Sequence, residues 1–321
     1  MRLRSAAAVL ALSLACSRGG GGDAERLRAR PAATRPPAFD WSHPATALEL
    51  GADEVAARLG SFEWSAAVEW TVSRDGDEAR RVRAVERHRV RQAATGEFEV
   101  HAEIDPGLGA GSDTGRDIVW AGGATYARAR YAPFRERPTD HGRDARRYRE
   151  ESFLVARSLA RLLGPALELQ PAGDAEAIRR PARKLAVTLA KGAAGRAAPA
   201  ASAQPPTPDD DTRRRRAFLD ALRPQSAKGE LVLDSATGVP LEVRIAATFT
   251  VEGDPKARVA VELLGQVKAL GGEVAAVAPP KGARPDERKT AGVAAALEAA
   301  GLKKRPEDKG GAEPAEDAGE E

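Results

Sequence analysis

The stretch SFEWSAAVEWTVS, residues 61–73, decides the fold. Its even positions carry Phe62, Trp64, Ala66, Val68, Trp70 and Val72, and its odd positions Glu63, Ser65, Ala67, Glu69, Thr71 and Ser73. Successive side chains of a strand point to opposite faces, so this alternation predicts one long strand with an apolar and a polar side. Such a strand needs a cover on its apolar face and leaves the other to water.

Working outward, the same device recurs. Arg74-Asp75-Gly76-Asp77 reads as a turn, and RRVRAVERHRVRQ continues as a more polar strand up to the Ala94-Thr95-Gly96 turn. EFEVHAEID alternates again, with Phe98, Val100, Ala102 and Ile104 on one side. RDIVWAGGATYARARY has the pattern of a hairpin bent at Gly122-Gly123. Late in the chain, Leu241, Val243, Ile245, Ala247, Phe249 and Val251 alternate with polar neighbours, and Ala257, Val259, Val261 and Leu263 follow after a Gly253-Asp254-Pro255 turn. KLAVTLA predicts a short strand, and GEVAAVAPP predicts a last one stopped by its prolines.

Helices punctuate this strand pattern. DEVAARL, residues 53–59, puts Val55 and Leu59 on one face. DARRYREESFLVARSLARLLG spaces Tyr148, Ser152, Val155, Leu159 and Leu162 as one helix that stops at Gly164 and Pro165. With a third helical segment at Ala217–Leu222, these supply lids for the apolar strand faces. The fold class that follows is α+β: a curved antiparallel β half-barrel with helices packed over its concave apolar face.

The remaining segments look unlike core. Residues 192–216 form a Pro/Ala/Ser stretch bounded by Asp209–Asp211 and Arg213–Arg216, read as a disordered insertion. Residues 281–321 hold one weak helix, AGVAAALEAAG, in a mostly disordered charged tail. The half-barrel domain is thus expected over residues 41–280.

The first residues say where the protein works. Arg2 and Arg4 precede the apolar run Ala6–Ala15, the layout of a signal peptide over residues 1–15. That run is too short to span a bilayer, which needs roughly 20 residues. Cys16, the single cysteine, follows it directly. Leu12-Ser13-Leu14-Ala15-Cys16 resembles a bacterial lipobox, although Ser13 stands where that motif most often has Leu. The resemblance implies cleavage before Cys16 and attachment of acyl chains such as palmitate to it. Ser17, not being Asp, implies sorting to the outer membrane. Residues 16–40, Gly-rich and then Pro-rich, read as a flexible tether behind that membrane anchor.

Composition excludes several classes. One cysteine rules out a disulfide framework and any thiolate metal cluster. The four histidines, His43, His88, His101 and His141, show no metal-ligand spacing, and no cofactor is implied. The net charge is +3, but 50 Lys and Arg are interleaved with 47 Asp and Glu, so no nucleic-acid partner is expected. The absence of Asn, with abundant Ala, Arg, Gly and Pro, points to codon bias behind the basic balance. No enzyme is expected either. Asp113-Thr114-Gly115 has no second copy to share a proton, GLGAG at 107–111 lacks phosphate-loop spacing, and no Gly-x-Ser-x-Gly occurs.

A late hairpin narrows the fold. In KGELVLDSATGVPLEVRIAATFTV, Gly229, Leu231, Leu233, Asp234, Gly238 and Pro240 resemble the closing hairpin of the lipoprotein-carrier superfamily, which includes LolA/LolB-like and LppX-like proteins. The resemblance extends over roughly Leu48 to Pro280, with the 192–216 insertion as a departure. It implies binding of a lipid, an acyl chain or a lipidated partner in the half-barrel. The cavity would be lined by Trp64, Val68, Trp70, Val100, Tyr126, Phe249 and Val261. The same residues would serve as a filled core in a non-catalytic structural or protein-interaction lipoprotein of the cell envelope, and a cavity separates the two readings.

Overall fold

The computed structural model describes residues 38–74, 81–109, 111–137, 141–195 and 210–285. Cys16, the expected signal peptide, most of the expected tether, residues 196–209 of the expected insertion and the AGVAAALEAAG segment lie outside the described residues.

Twelve strands form one sheet. In chain order they are β1 (Phe62–Arg74), β2 (Val82–Gln92), β3 (Phe98–Asp105), β4 (Thr114–Ala121), β5 (Ala124–Ala129), β6 (Arg135–Arg137), β7 (Leu167–Ala177), β8 (Arg180–Leu189), β9 (Leu222–Asp234), β10 (Pro240–Val251), β11 (Asp254–Leu270) and β12 (Arg284–Pro285). The spatial order is β12-β6-β5-β4-β3-β2-β1-β11-β10-β9-β8-β7. Two meanders, β1–β6 and β7–β11, are therefore joined by the return of β11 to the free side of β1. Neighbours are antiparallel except β12 and β6.

The sheet is open and curved, the half-barrel expected from the strand pattern. In β1, Phe62, Trp64, Ala66, Val68 and Trp70 are buried while their odd-numbered neighbours are half-buried. Three helices, α1 (Ala52–Leu59), α2 (Arg143–Phe153) and α3 (Val155–Leu163), and a 3-10 turn over Pro44–Glu49 roof the apolar side. The Phe153 ring stands 5.3 Å from that of Trp64 and 5.9 Å from that of Phe62. A fourth helix, α4 (Asp210–Asp220), leads into β9.

Several expectations need correction. The single helix over residues 144–164 is two, broken at Leu154 (φ −86°, ψ 19°). Ser158 donates its hydroxyl to the Leu154 carbonyl at 3.2 Å, a side-chain competition that bends helices. Arg213–Arg216 belong to α4 instead of a loop, and the helix expected over Ala217–Leu222 begins earlier and ends at Asp220. GEVAAVAPP forms no strand. Both edges of β11 are already occupied, and Pro279 and Pro280 have no N–H to give a ladder. The segment instead crosses the convex face, where Val277 packs against Val119, Ala121, Ala124 and Tyr126. No helix among the described residues is long and apolar enough to cross a membrane.

Candidate functional site

The concave face is built from cross-strand rows, because residues paired across neighbouring strands share a face. One row runs Trp64, Val90, Val100, Ile118, Ala127 from β1 to β5. Another sets Trp70 between Ala84 and Val261, and Val261 beside Ala247. Val68 lies between Glu86 and Leu263. Trp64, Val68, Trp70, Phe249 and Val261 thus belong to one continuous core under the helices. Val100 stands on the same face, further from β1, among Phe98, Ile118 and Ala145 of α2.

Tyr126 is placed elsewhere. It pairs with Val119, whose row continues to Glu99 and Arg91 on the convex face. Across the tight Gly122-Gly123 bend the register sends Ala127, not Tyr126, to the concave side. Tyr126 packs beneath Val277, and burial beside Glu136 holds its phenol above the usual range.

The concave face is closely packed beneath the roof, with its large side chains buried. A void there, bordered by Ala47, Leu50, Trp64, Phe153, Leu154 and Val243, measures about 10 Å³, roughly what one water needs. Close packing extends to the sheet itself. Gly265 leaves the space occupied by the Trp64 ring, since a Cβ there would lie 2.6 Å from Trp64 Cζ2.

The alternation of the sequence did not disclose a polar strip on this face. Counting inward from Trp64 and its partner Val90, strand β2 contributes Ala84, Glu86, His88 and Gln92 to the concave side. Glu86 is only 2% exposed. His88 Nε2 stands 3.5 Å from Glu86 Oε2, and His88 Nδ1 stands 3.2 Å from the Ser152 hydroxyl of α2. Arg149, also on α2 and buried, donates to Gln92 Oε1 at 2.6 Å, pairs with Asp53, and lies 4.4 Å over the Phe98 ring. Further out, Arg116 sits 4.6 Å over Tyr148, and burial lowers its pKa from the ordinary guanidinium value. The indole N–H groups of Trp64 and Trp70 are buried with no hydrogen-bond partner among the described residues.

Ser152, His88 and Glu86 stand in the order of a nucleophile, a base and a carboxylate. Ser152, the next-to-last residue of α2, is 3% exposed, so no substrate carbonyl reaches its oxygen in this arrangement. Among the described residues, no three His, Cys, Asp or Glu side chains are placed to hold a metal ion.

The convex face carries a second concavity of about 370 Å³, bordered by Arg89, Glu99, His101, Asp117, Phe134 and Pro280. Its charges are matched within the protein. Asp117 accepts from Arg128 Nε at 2.5 Å and pairs with His101, while Arg89 pairs with Glu63 at 3.0 Å.

The β9–β10 hairpin is capped from within. Asp234 accepts hydrogen bonds from Thr237 N at 2.8 Å and Thr237 Oγ1 at 2.7 Å, and pairs with Arg180. Gly238 has φ +68° and lies under the Phe39 ring, which a Cβ would meet at 2.0 Å.

No family model matches this sequence, and no curated protein matches it. Similar solved structures include a LolA superfamily protein of Nitrosomonas europaea, at 10% identity over 71% of this chain and 94% of that one, with a TM-score of 0.19. A putative outer membrane lipoprotein-sorting protein domain of Vibrio parahaemolyticus shows 9% identity over 69% and 94%, with a TM-score of 0.20. A DUF1329 family protein of Desulfovibrio piger shows 8% identity over 71% and 92%, with a TM-score of 0.22. The superfamily named from the hairpin is among them. At these scores no functional property passes from them to this chain.

Proposed function

We propose that this chain is a lipid-anchored protein of the bacterial cell envelope, held at the outer membrane through Cys16, that binds an acyl chain between its half-barrel and its helical roof. The observation that supports this reading is the nature of the roof. The apolar face of the sheet is covered by helices of 8, 11 and 9 residues and a 3-10 turn, the 11-residue helix lying over β2, β3 and β4 and reaching Trp64 of β1 through Phe153, and not by a second sheet among the described residues. A helix satisfies its backbone hydrogen bonds internally, so such a cover shifts without breaking any ladder. In the closed form the interior is closely packed, and a ligand enters by displacing Phe153 and Leu154 from Trp64. Each buried methylene contributes about 0.8 kcal/mol, so a chain of about 15 methylenes supplies roughly 12 kcal/mol to offset the lost packing.

A second reading is favoured by the small void itself: a non-catalytic structural or protein-interaction lipoprotein whose half-barrel keeps its own core. Mass spectrometry of organic extracts, from protein purified without detergent, separates the two. Stoichiometric lipid supports the carrier. A clean extract, together with tryptophan fluorescence unchanged by added acyl ligand, overturns it in favour of the filled core.

A further inference from the structure

We propose that Arg116, Arg137 and Arg147, gathered beside Tyr148 at the outer end of the concave face, form a binding site for a phosphate group. The inference does not depend on acyl binding under the roof, since inorganic phosphate alone tests it.

Sheet register and α2 bring the three arginines together. Arg116 of β4 stands across from Ala102 and Ala129, two positions along its strand from Ile118, and so faces the concave side. Arg137 of β6 pairs with Thr125, which pairs with Trp120 on that same side. The guanidinium carbon of Arg116 lies 4.6 Å from the centre of the Tyr148 ring of α2, and that of Arg147 lies 4.9 Å from the same centre. The carboxylate of Asp144, also on α2, stands 3.6 Å from Arg137 and 3.9 Å from Arg147. One small anion is therefore already in reach of both.

The charges in this group do not balance. On the convex face, Arg91 meets Glu99 at 3.1 Å, Arg128 meets Asp117 at 2.5 Å and Arg130 meets Glu103 at 2.8 Å, each across neighbouring strands. Arg116 instead has alanine on both neighbouring strands, and no carboxylate among the described residues lies in ion-pair range of its guanidinium. Burial, together with the like charges of Arg137 and Arg147, lowers its pKa. Asp144 is shared among Arg137, Arg147 and Arg143, the last at 4.0 Å, and all three separations exceed a hydrogen bond. Glu151 adds one more carboxylate, 3.7 Å from Arg147.

A phosphate group suits this arrangement better than a carboxylate does. It carries up to two negative charges, and its several acceptor oxygens match the forked guanidinium donors in pairs. The Arg147 side chain is 54% exposed and Arg116 is exposed as well, so the anion arrives from solvent without opening the roof.

The test titrates the full chain with inorganic phosphate, dihexanoyl phosphatidic acid and dihexanoylglycerol by isothermal titration calorimetry. Both phosphates are expected to bind, and the uncharged diglyceride is not. Arg116→Gln and Arg147→Gln are each expected to weaken inorganic phosphate about tenfold. Arg244→Gln removes an equal charge from the convex face and is expected to change it by less than about twofold. Thermal midpoints report that the variants stay folded. Phosphatidic acid bound about tenfold or more tighter than inorganic phosphate supports the site with a lipid head group as its source. Equal affinities for the two support it with a free phosphate as its source. No heat from either phosphate, or the same loss from Arg244→Gln as from Arg116→Gln, overturns the site. Diglyceride bound as tightly as phosphatidic acid also overturns it, and leaves acyl binding standing.

Discussion

Gly265 of β11 lies flat against the Trp64 ring of β1, with room for a hydrogen and none for a methyl group. The ring is buried between Phe153 above and the sheet below, beside a void of only about 10 Å³, so it has little room in which to yield. Gly265→Ala is therefore expected to destabilise the fold by about 1–3 kcal/mol, the usual cost of overpacking a core. Urea unfolding followed by tryptophan fluorescence checks it, and an unchanged midpoint would mean that the Trp64 ring is not fixed as described.

The Asp234 turn makes stability depend on pH in a defined direction. Burial raises the carboxyl pKa, but bonds from Arg180 and Thr237 outweigh it and hold the group below its ordinary value of 3.8. A depressed folded pKa contributes stability that is fully present above the unfolded value and lost as pH falls through the folded one. Asp234→Asn should cost about 2 kcal/mol at neutral pH. The gap from wild type should narrow below about pH 3.8 and close once the lowered folded value is passed. A gap of constant size between pH 7 and pH 3 would show that the charge of Asp234 does not hold the turn.

The central strands were legible because burial on one face leaves a period-2 trace in the sequence, as in residues 62–70 and 241–249. β7, LELQPAGDAEA, left none. It is a sheet edge, largely exposed on both faces, so nothing selects an alternating pattern, and Pro171 and the register shift before Asp174 blunt it further. The face of Tyr126 is not legible in ATYARA because both sets of its side chains are buried at the start of the strand, and only pairing with Val119 turns Tyr126 to the convex side. The polar strip was hidden for the opposite reason. In VRAVERHRVRQ charges fall on both faces, and only the pairing of Glu86 with Val68 turns that carboxylate inward. The legible part of the candidate site is thus its apolar wall, while its chemistry depends on register.

Arg149 joins the roof to the sheet through polar contacts. It bonds Gln92 of β2 and Asp53 of α1, and its side chain is buried over Phe98. Arg149→Met keeps much of the length and removes the donors, leaving the Gln92 carbonyl oxygen buried without this bond. The expected cost is about 1–3 kcal/mol. Hydrogen exchange should quicken in α2 over residues 143–153 before it does in β10 or β11, where the ladders are untouched. Uniform acceleration across the sheet would instead show that the roof and the half-barrel open together.

The anchor has its own test, independent of any ligand. If Cys16 is the acylated residue, Cys16→Ser removes the only thiol that can accept a diacylglycerol. Processing that waits on lipidation then stops, and intact mass spectrometry should find a full-length precursor still carrying residues 1–15, absent from the detergent phase on partition. Wild type should instead begin at Cys16 and carry acyl chains, each adding about 0.8 kcal/mol per buried methylene to membrane affinity. A Cys16→Ser protein cut normally and released as a soluble product would remove the lipobox reading. It would say nothing against the half-barrel and its roof, whose elements are formed by residues 44 onward.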